Sequence, residues 1–267
     1  MRAIIAEAAA LLGVNVQSAA HIAGGDLSFV VRLTLADGCS IIAKRGARVR
    51  EEALMLEAIG TTGVPVPQIF CVAEDLLLLE ERPNGGRLAR CWAQLAEMLD
   101  QLHAPAHTAY GWKRDYGFGA LSIENGQAGN WIDFWAKRRL RCHIPHLTIH
   151  LANRIERLAD RLAEHIPRSR PPALLHGDLW GGNILVDQDQ ISGLIDPACY
   201  YGDREVDLAM LSLFDRPPQI FYDACDLPRG WEERQPVYQL WPLLVHVRLF
   251  GGAYHQQAGA CLDQLGV

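Results

Sequence analysis

Lysine is scarce in this 267-residue chain: of 25 basic residues only Lys44, Lys113 and Lys137 are lysines, the rest arginine. Positive charge is short altogether. The formal net charge of −6 argues against nucleic acid or an anionic membrane surface as the main partner. Paired cysteine motifs are missing too. Cys39, Cys71, Cys91, Cys142, Cys199, Cys225 and Cys261 are scattered with no C-x-x-C, which suits free thiols in a reducing compartment. No uncharged apolar run approaches the ~18 residues that a membrane span needs. The apolar start MRAIIAEAAALLG carries Glu7, so it reads as an amphipathic helix ending at Gly13, not as a secretory signal. A cytoplasmic protein without a membrane partner is expected. Internal repeats and low-complexity tracts are also absent.

What is present is a chain 49% hydrophobic and 21% charged, long enough for a sizeable core. FVVRLTL and CSIIAK are β-rich runs joined by Ala36-Asp37-Gly38, a hairpin signal because Asp-Gly supplies positive φ at low cost. VREEALMLEAIG follows, with Val49, Ala53, Leu56 and Ile59 on one helix face and a stop expected at Gly60. VPVPQIFCVAEDLLLLEE then gives two short strands around Glu74-Asp75. After Arg82-Pro83-Asn84-Gly85-Gly86, read as a linker, helical stretches take over at Leu88–His103, Trp131–Leu140, Ile155–Ile166, VDLAMLSLF and the C-terminal region. The pattern predicts an α+β protein of two lobes. Residues 1–82 form a small antiparallel-sheet lobe and residues 83–267 a larger, mainly helical one.

The stretch LLHGDLWGGNILV (174–186) sets a polar insert between two short apolar runs. Asp178 and Asn183 stand five apart, and Asp196 follows the apolar run GLI. A carboxylate, a carboxamide and a second carboxylate make an oxygen-rich site suited to Mg²⁺ bound alongside phosphates. The spacing D-x-x-x-x-N is that of the kinase catalytic loop. His176 and Gly177 would turn the chain so that Asp178 points outward. An ordinary turn would use the same residue types. Against that stand Asp196 at the end of an apolar strand, Lys44 inside the otherwise apolar IIAKRG, and a following helix with Glu51, Glu52 or Glu57 as acidic partners.

HGDLWGGN (176–183), IDPACYYGDREVDLAM (195–210) and QPVYQLWPLLVHVRLFGG (235–252) resemble the fructosamine kinase, or ketosamine-3-kinase, family. That family is a branch of the protein-kinase-like phosphotransferases, near the aminoglycoside and choline kinases. The likeness runs upstream through GGDLS (24–28), the Lys44 strand, EALMLEAI (52–59) and NWIDFWAKRRL (130–140), and covers nearly the whole chain. HGD with its Asn marks the wider superfamily; HGDLW and the DPACYYGDRE-x-DLAM block are specific to the ketosamine branch.

The resemblance implies a two-lobed protein-kinase-like fold, with ATP and Mg²⁺ as cofactors. It makes Asp178 the catalytic base and gives Mg²⁺ to Asn183 and Asp196. Lys44 would contact the α- and β-phosphates, oriented by Glu52, which aligns best with the family's helix acid. Gly24 and Gly25 would let the backbone approach the phosphates. Glu80-Glu81-Arg82 stands at the hinge that meets adenine, making Glu80 and Arg82 nucleotide contacts; the family usually has an apolar or aromatic residue after the first acid. Trp180 would stack on the sugar, a core position being the alternative. Asp207 and His176 would brace the catalytic loop. Asn130 looks like the cap of a helix whose Trp131 and Trp135 pack in the core. Cys142, His143, His146 and His150 surround Pro145, and no metal site is expected there.

The expected activity is ATP-dependent phosphorylation of the 3-hydroxyl of a small-molecule or protein-bound ketosamine, which leads to deglycation. A monomer is expected. A kinase for another hydroxylated amine, such as an aminoglycoside or choline, is the nearest rival, and a catalytically inactive nucleotide-binding homologue a second. Which ketosamine is preferred is not written in the sequence.

Overall fold

The computed structural model describes residues 1–22, 29–105 and 107–267. Its first part holds a five-stranded antiparallel sheet made of β1 (Val16–His21), β2 (Phe29–Leu35), β3 (Ser40–Arg45), β4 (Ile69–Val72) and β5 (Leu76–Glu80) in the order β1-β2-β3-β5-β4. Helices α1 (Arg2–Leu12) and α2 (Val49–Gly60) cover its two faces. Strand alternation sorts the side chains. Ile41 and Ala43 join Ile4 and Ala8 of α1 in one apolar cluster, while Ile42 packs with Val49, Ala53 and Leu56 of α2 on the other face. Lys44, in step with Ile42, is thereby aimed at α2. Helix α2 carries a second apolar row, Met55 and Ile59, which joins the main core of the chain. Glu52 lies between the two rows and is buried.

The larger part is mainly helical. It contains α3 (Trp92–Leu102), α4 (Trp131–Trp135), α5 (Ile149–Asp160), α6 (Leu162–His165), α7 (Glu205–Phe214), α8 (Gln219–Ala224), α9 (Trp231–Phe250) and α10 (Tyr254–Gln264). Three two-stranded ribbons pass between them: β6 (Tyr116–Phe118) with β7 (Leu121–Ile123), β8 (Ala173–Leu175) with β11 (Tyr200–Gly202), and β9 (Ile184–Asp187) with β10 (Gln190–Leu194). The α+β, two-lobe expectation holds. Among the described residues no helix is long and apolar enough to cross a membrane.

Several boundaries differ from the pattern reading. Gly13 does end α1 in the left-handed region, but Gly60 is still helical, and the left-handed residue after α2 is Gly63, with φ 89°. Helix α5 begins at Ile149, six residues before the expected start at Ile155, because Thr148 caps it and Leu151, Ala152 and Ile155 are buried. Pro236 and Pro242 both lie inside α9, and the expected C-terminal helical stretch breaks instead at Gly251-Gly252, both with positive φ. The 82–86 segment is no free linker: the N–H groups of Gly85 and Gly86 both donate to Val186 O, tying it to β9. Asn130 caps α4 by accepting from Asp133 N, and Trp131 and Trp135 are fully buried, as expected.

Candidate active site

Lys44 Nζ lies 2.8 Å from Glu52 Oε1 and 2.6 Å from Asp196 Oδ1, although Asp196 is 152 residues away in sequence. Burial works against the ammonium, but the two carboxylates outweigh it and hold its pKa above the ordinary value. Burial also pushes Glu52 up to about 7. Of the three helix acids, Glu52 alone meets the lysine. Glu51 is half-buried and pairs with Arg114 at 3.3 Å; Glu57 is exposed.

The loop between β8 and β9 carries Asp178 and Asn183, and the turn between β10 and β11 carries Asp196. Two backbone bonds stitch these segments together: Ile195 N donates to Asn183 O at 3.0 Å and Ala198 N to His176 O at 2.8 Å. Gly177 is required here. Its φ is 78°, and a Cβ would stand 2.1 Å from Ala198 O. Buried His176 keeps one nitrogen, Nε2, on Ile195 O at 3.0 Å, while Nδ1 accepts from Asp178 N at 3.3 Å. Burial depresses its pKa, so the ring is neutral and matches that tautomer. Asp207, in the first turn of α7, accepts from His176 N, Gly177 N and His103 Nε2 at 2.8, 2.9 and 2.9 Å. Burial alone would raise its pKa, but these donors hold it below the ordinary value.

Asn183 Nδ2 donates to both Asp178 O, at 2.8 Å, and Asp178 Oδ2, at 2.9 Å. Both N–H groups are then engaged, and Asn183 Oδ1 is the atom left for a cation. Asp196 has φ 53°, a left-handed conformation that Asp tolerates, and its side chain is 44% exposed with Oδ2 not bound to Lys44. These two oxygens fit Mg²⁺, which takes one or two protein oxygens and completes its shell with phosphate and water. Burial pushes the Asp178 carboxyl up to about 7, with Asp196 and Asp207 adding to the rise.

Trp180 is 41% exposed, which excludes a core role; its ring lies over Gly182, where a Cβ would meet ring atoms at 2.2–2.6 Å. The side chains of Glu80 and Arg82 are engaged with each other, at 3.1 Å, and Arg82 Nε donates to Ser192 O of β10 at 2.8 Å. Gly24 and Gly25 lie outside the described residues. Two further residues stand at the site. Tyr116 is buried, and its hydroxyl is held well above its ordinary pKa by burial and by Glu52, Asp196 and Asp178. Asp215 Oδ2 accepts from Gly181 N at 2.7 Å. No sequence signal pointed to Tyr116. The pair Gly181-Gly182 is a local signal that could have marked a close approach, and it does not name Asp215 as its source.

Comparison with known proteins gives the family and the fold of the chain. A probable ketoamine kinase of Synechocystis is 34% identical over 240 residues, covering 83% of this chain and 80% of the relative. A solved Thermobifida fusca protein, described as a candidate fructosamine-3-kinase, is 30% identical with a TM-score of 0.90 over the full length of both chains. An aminoglycoside phosphotransferase solved with AMP-PNP and hygromycin B is 15% identical with a TM-score of 0.69 over 98% of each chain, a likeness of fold alone. The model of the fructosamine kinases matches residues 2–266, and the chain belongs to the fructosamine kinase family.

Proposed function

We infer that the protein transfers the γ-phosphoryl group of ATP to the 3-hydroxyl of a ketosamine, a sugar formed when a reducing sugar glycates an amine. The observation that carries this reading is the meeting of Lys44, Glu52 and Asp196 at 2.6–2.8 Å beside the Asp178–Asn183 pair. Phosphoryl transfer needs alignment and charge neutralisation more than covalent chemistry. The nucleotide-bound structural neighbour and the ketoamine kinase names of relatives support the same reading.

In this mechanism the substrate O3 attacks the γ-phosphorus, the bond to the β-phosphate oxygen breaks, ADP leaves, and the hydroxyl proton passes to Asp178. Such a positioned base contributes about 10²–10⁴-fold. Asp207 and His176 fix the backbone from which Asp178 projects. Lys44, held by Glu52, contacts the α- and β-phosphates. Asn183 and Asp196 would hold Mg²⁺, which when bound neutralises charge on the phosphates. The 80–82 hinge lines the nucleotide cleft between a lobe of residues 1–82 and one of residues 83–267, and the role of Gly24 and Gly25 beside the phosphates rests on the family resemblance. Trp180 stacks on the C–H face of the sugar. A 3-phosphoketosamine is unstable and releases the amine, so the biological outcome is deglycation.

ATP turnover with fructosyl-lysine, ribulosyl-lysine and kanamycin, each with Mg²⁺ and with EDTA, tests the proposal. Turnover of a ketosamine that EDTA abolishes is the expected result. Activity on kanamycin alone would overturn the substrate assignment, and no turnover with any would favour an inactive homologue.

A further inference from the structure

Helix α7 holds the catalytic loop at both of its ends. Asp207 in its first turn takes the N–H groups of His176 and Gly177, and Asp215, just past its last turn, takes that of Gly181. The eight intervening steps span about 12 Å of helix. The first contact holds the segment from which the base projects. The second places a carboxylate against the peptide that joins Trp180 to Gly181, three residues after Asp178. Asn183 then folds back onto Asp178 and closes the loop, which keeps these residues together.

Asp215 Oδ2 is engaged with Gly181 N, and the other oxygen lies over the Gly181 Cα, where a Cβ would come within 2.3 Å of Oδ1. Glycine at 181 therefore makes room for this carboxylate. Among the described residues, no basic side chain lies within 4.0 Å of it, unlike Glu52, Glu205 and Asp196, each of which has a Lys or Arg partner. The group is half-buried, so its charge is only partly hydrated and a cation arriving there is stabilised. Trp180, joined to Gly181 by the peptide whose N–H this carboxylate accepts, exposes its indole, whose face favours an alkylammonium as well as a sugar.

We propose that Asp215 is the substrate-specificity residue that binds the protonated amine of the ketosamine while Asp178 receives the 3-hydroxyl; this rests on the ketosamine reading. In such a substrate the amine nitrogen is attached to C1, two bonds from C3 through C2, so the hydroxyl and the ammonium lie a few ångströms apart, and the loop that carries Asp178 is the one whose Gly181 N–H rests on Asp215. The enzyme thereby distinguishes a glycated amine, which carries positive charge, from a neutral sugar of the same shape.

The test is Asp215→Asn, which keeps an oxygen to accept from Gly181 N and removes the charge. Steady-state kinetics would be measured with fructosyl-lysine and with its analogue in which a methylene replaces the glycated nitrogen, neutral there and close to it in shape. Wild type is expected to favour the amine at least tenfold in kcat/KM. The variant is expected to raise KM for the amine about tenfold with kcat within twofold, and to leave the neutral analogue unchanged. Asp215→Ala, which also frees Gly181 N, should lower kcat for both substrates. An unchanged amine-to-neutral preference in Asp215→Asn overturns the inference and leaves the kinase reading intact, as does a wild type that uses both substrates equally. A wild type that phosphorylates no ketosamine removes the reading and the inference with it.

Discussion

Replacing Asp178 by Asn should stabilise the ligand-free protein while abolishing most of its activity. The carboxyl sits among protein atoms, and burial with two neighbouring carboxylates moves its pKa from 3.8 to about 7. Above pH 7 the folded protein must keep this group charged where the unfolded chain keeps it charged at no cost. The distance from 3.8 to about 7 corresponds to about 4 kcal/mol. Asp178 retains some contact with water, so about 2 kcal/mol is the expected gain. The cost is absent below pH 4, where both states hold the proton, grows between pH 4 and 7, and is complete above. Asn at 178 still accepts from Asn183 Nδ2, so the loop keeps its shape. Urea unfolding of the metal-free and nucleotide-free proteins at pH 8 and pH 5 is the assay. The variant should be more stable at pH 8, with less than half of that gain left at pH 5, and its turnover should fall at least about 10²-fold. A gain that is absent, or the same at both pH values, would refute the burial argument. Undiminished turnover would refute the assignment of the base.

Lys44→Met removes the one cation between Glu52 and Asp196 and should lower kcat/KM for ATP at least about 10²-fold, with far-ultraviolet circular dichroism retained. Gly177→Ala forces a Cβ toward Ala198 O at a φ of 78° and should cost at least about 3 kcal/mol in urea unfolding. Arg139→Lys should cost about 3 kcal/mol, also by urea unfolding. The buried guanidinium lies 4.7, 4.2 and 4.9 Å from the rings of Phe134, Tyr200 and Trp241 and donates to Glu124 O and Asn125 Oδ1, a set of contacts that a compact ammonium cannot reproduce.

The local motifs were legible because each states its chemistry within a few residues. Asp-Gly at 37–38 closes the β2–β3 hairpin, and the α2 face Val49, Ala53, Leu56 does pack on the sheet. Helix ends were less legible. Gly60 stays helical because the chain can turn later, at Gly63, and Pro242 stays inside α9 while its carbonyl still accepts from the His246 ring. The 82–86 segment reads as a linker from composition, yet it lies against β9, and glycine is required at 86, where a Cβ would stand 2.4 Å from Gln188 O.

By itself the sequence determined the antiparallel sheet, the helical remainder, and the set Lys44, Asp178, Asn183 and Asp196. Hydrophobic period is a local property and suffices for the elements, while residue type and the family resemblance singled out the set, of which Lys44 and Asp196 stand 152 residues apart. The residue pattern left Glu51, Glu52 and Glu57 open and the family resemblance chose Glu52, the one that meets Lys44; tertiary structure alone decided that Tyr116 is buried where the charges of Glu52, Asp196 and Asp178 act on it, and that Asp215 rests against Gly181. Each of these depends on how two elements distant in the chain pack, and packing is fixed by the whole core at once.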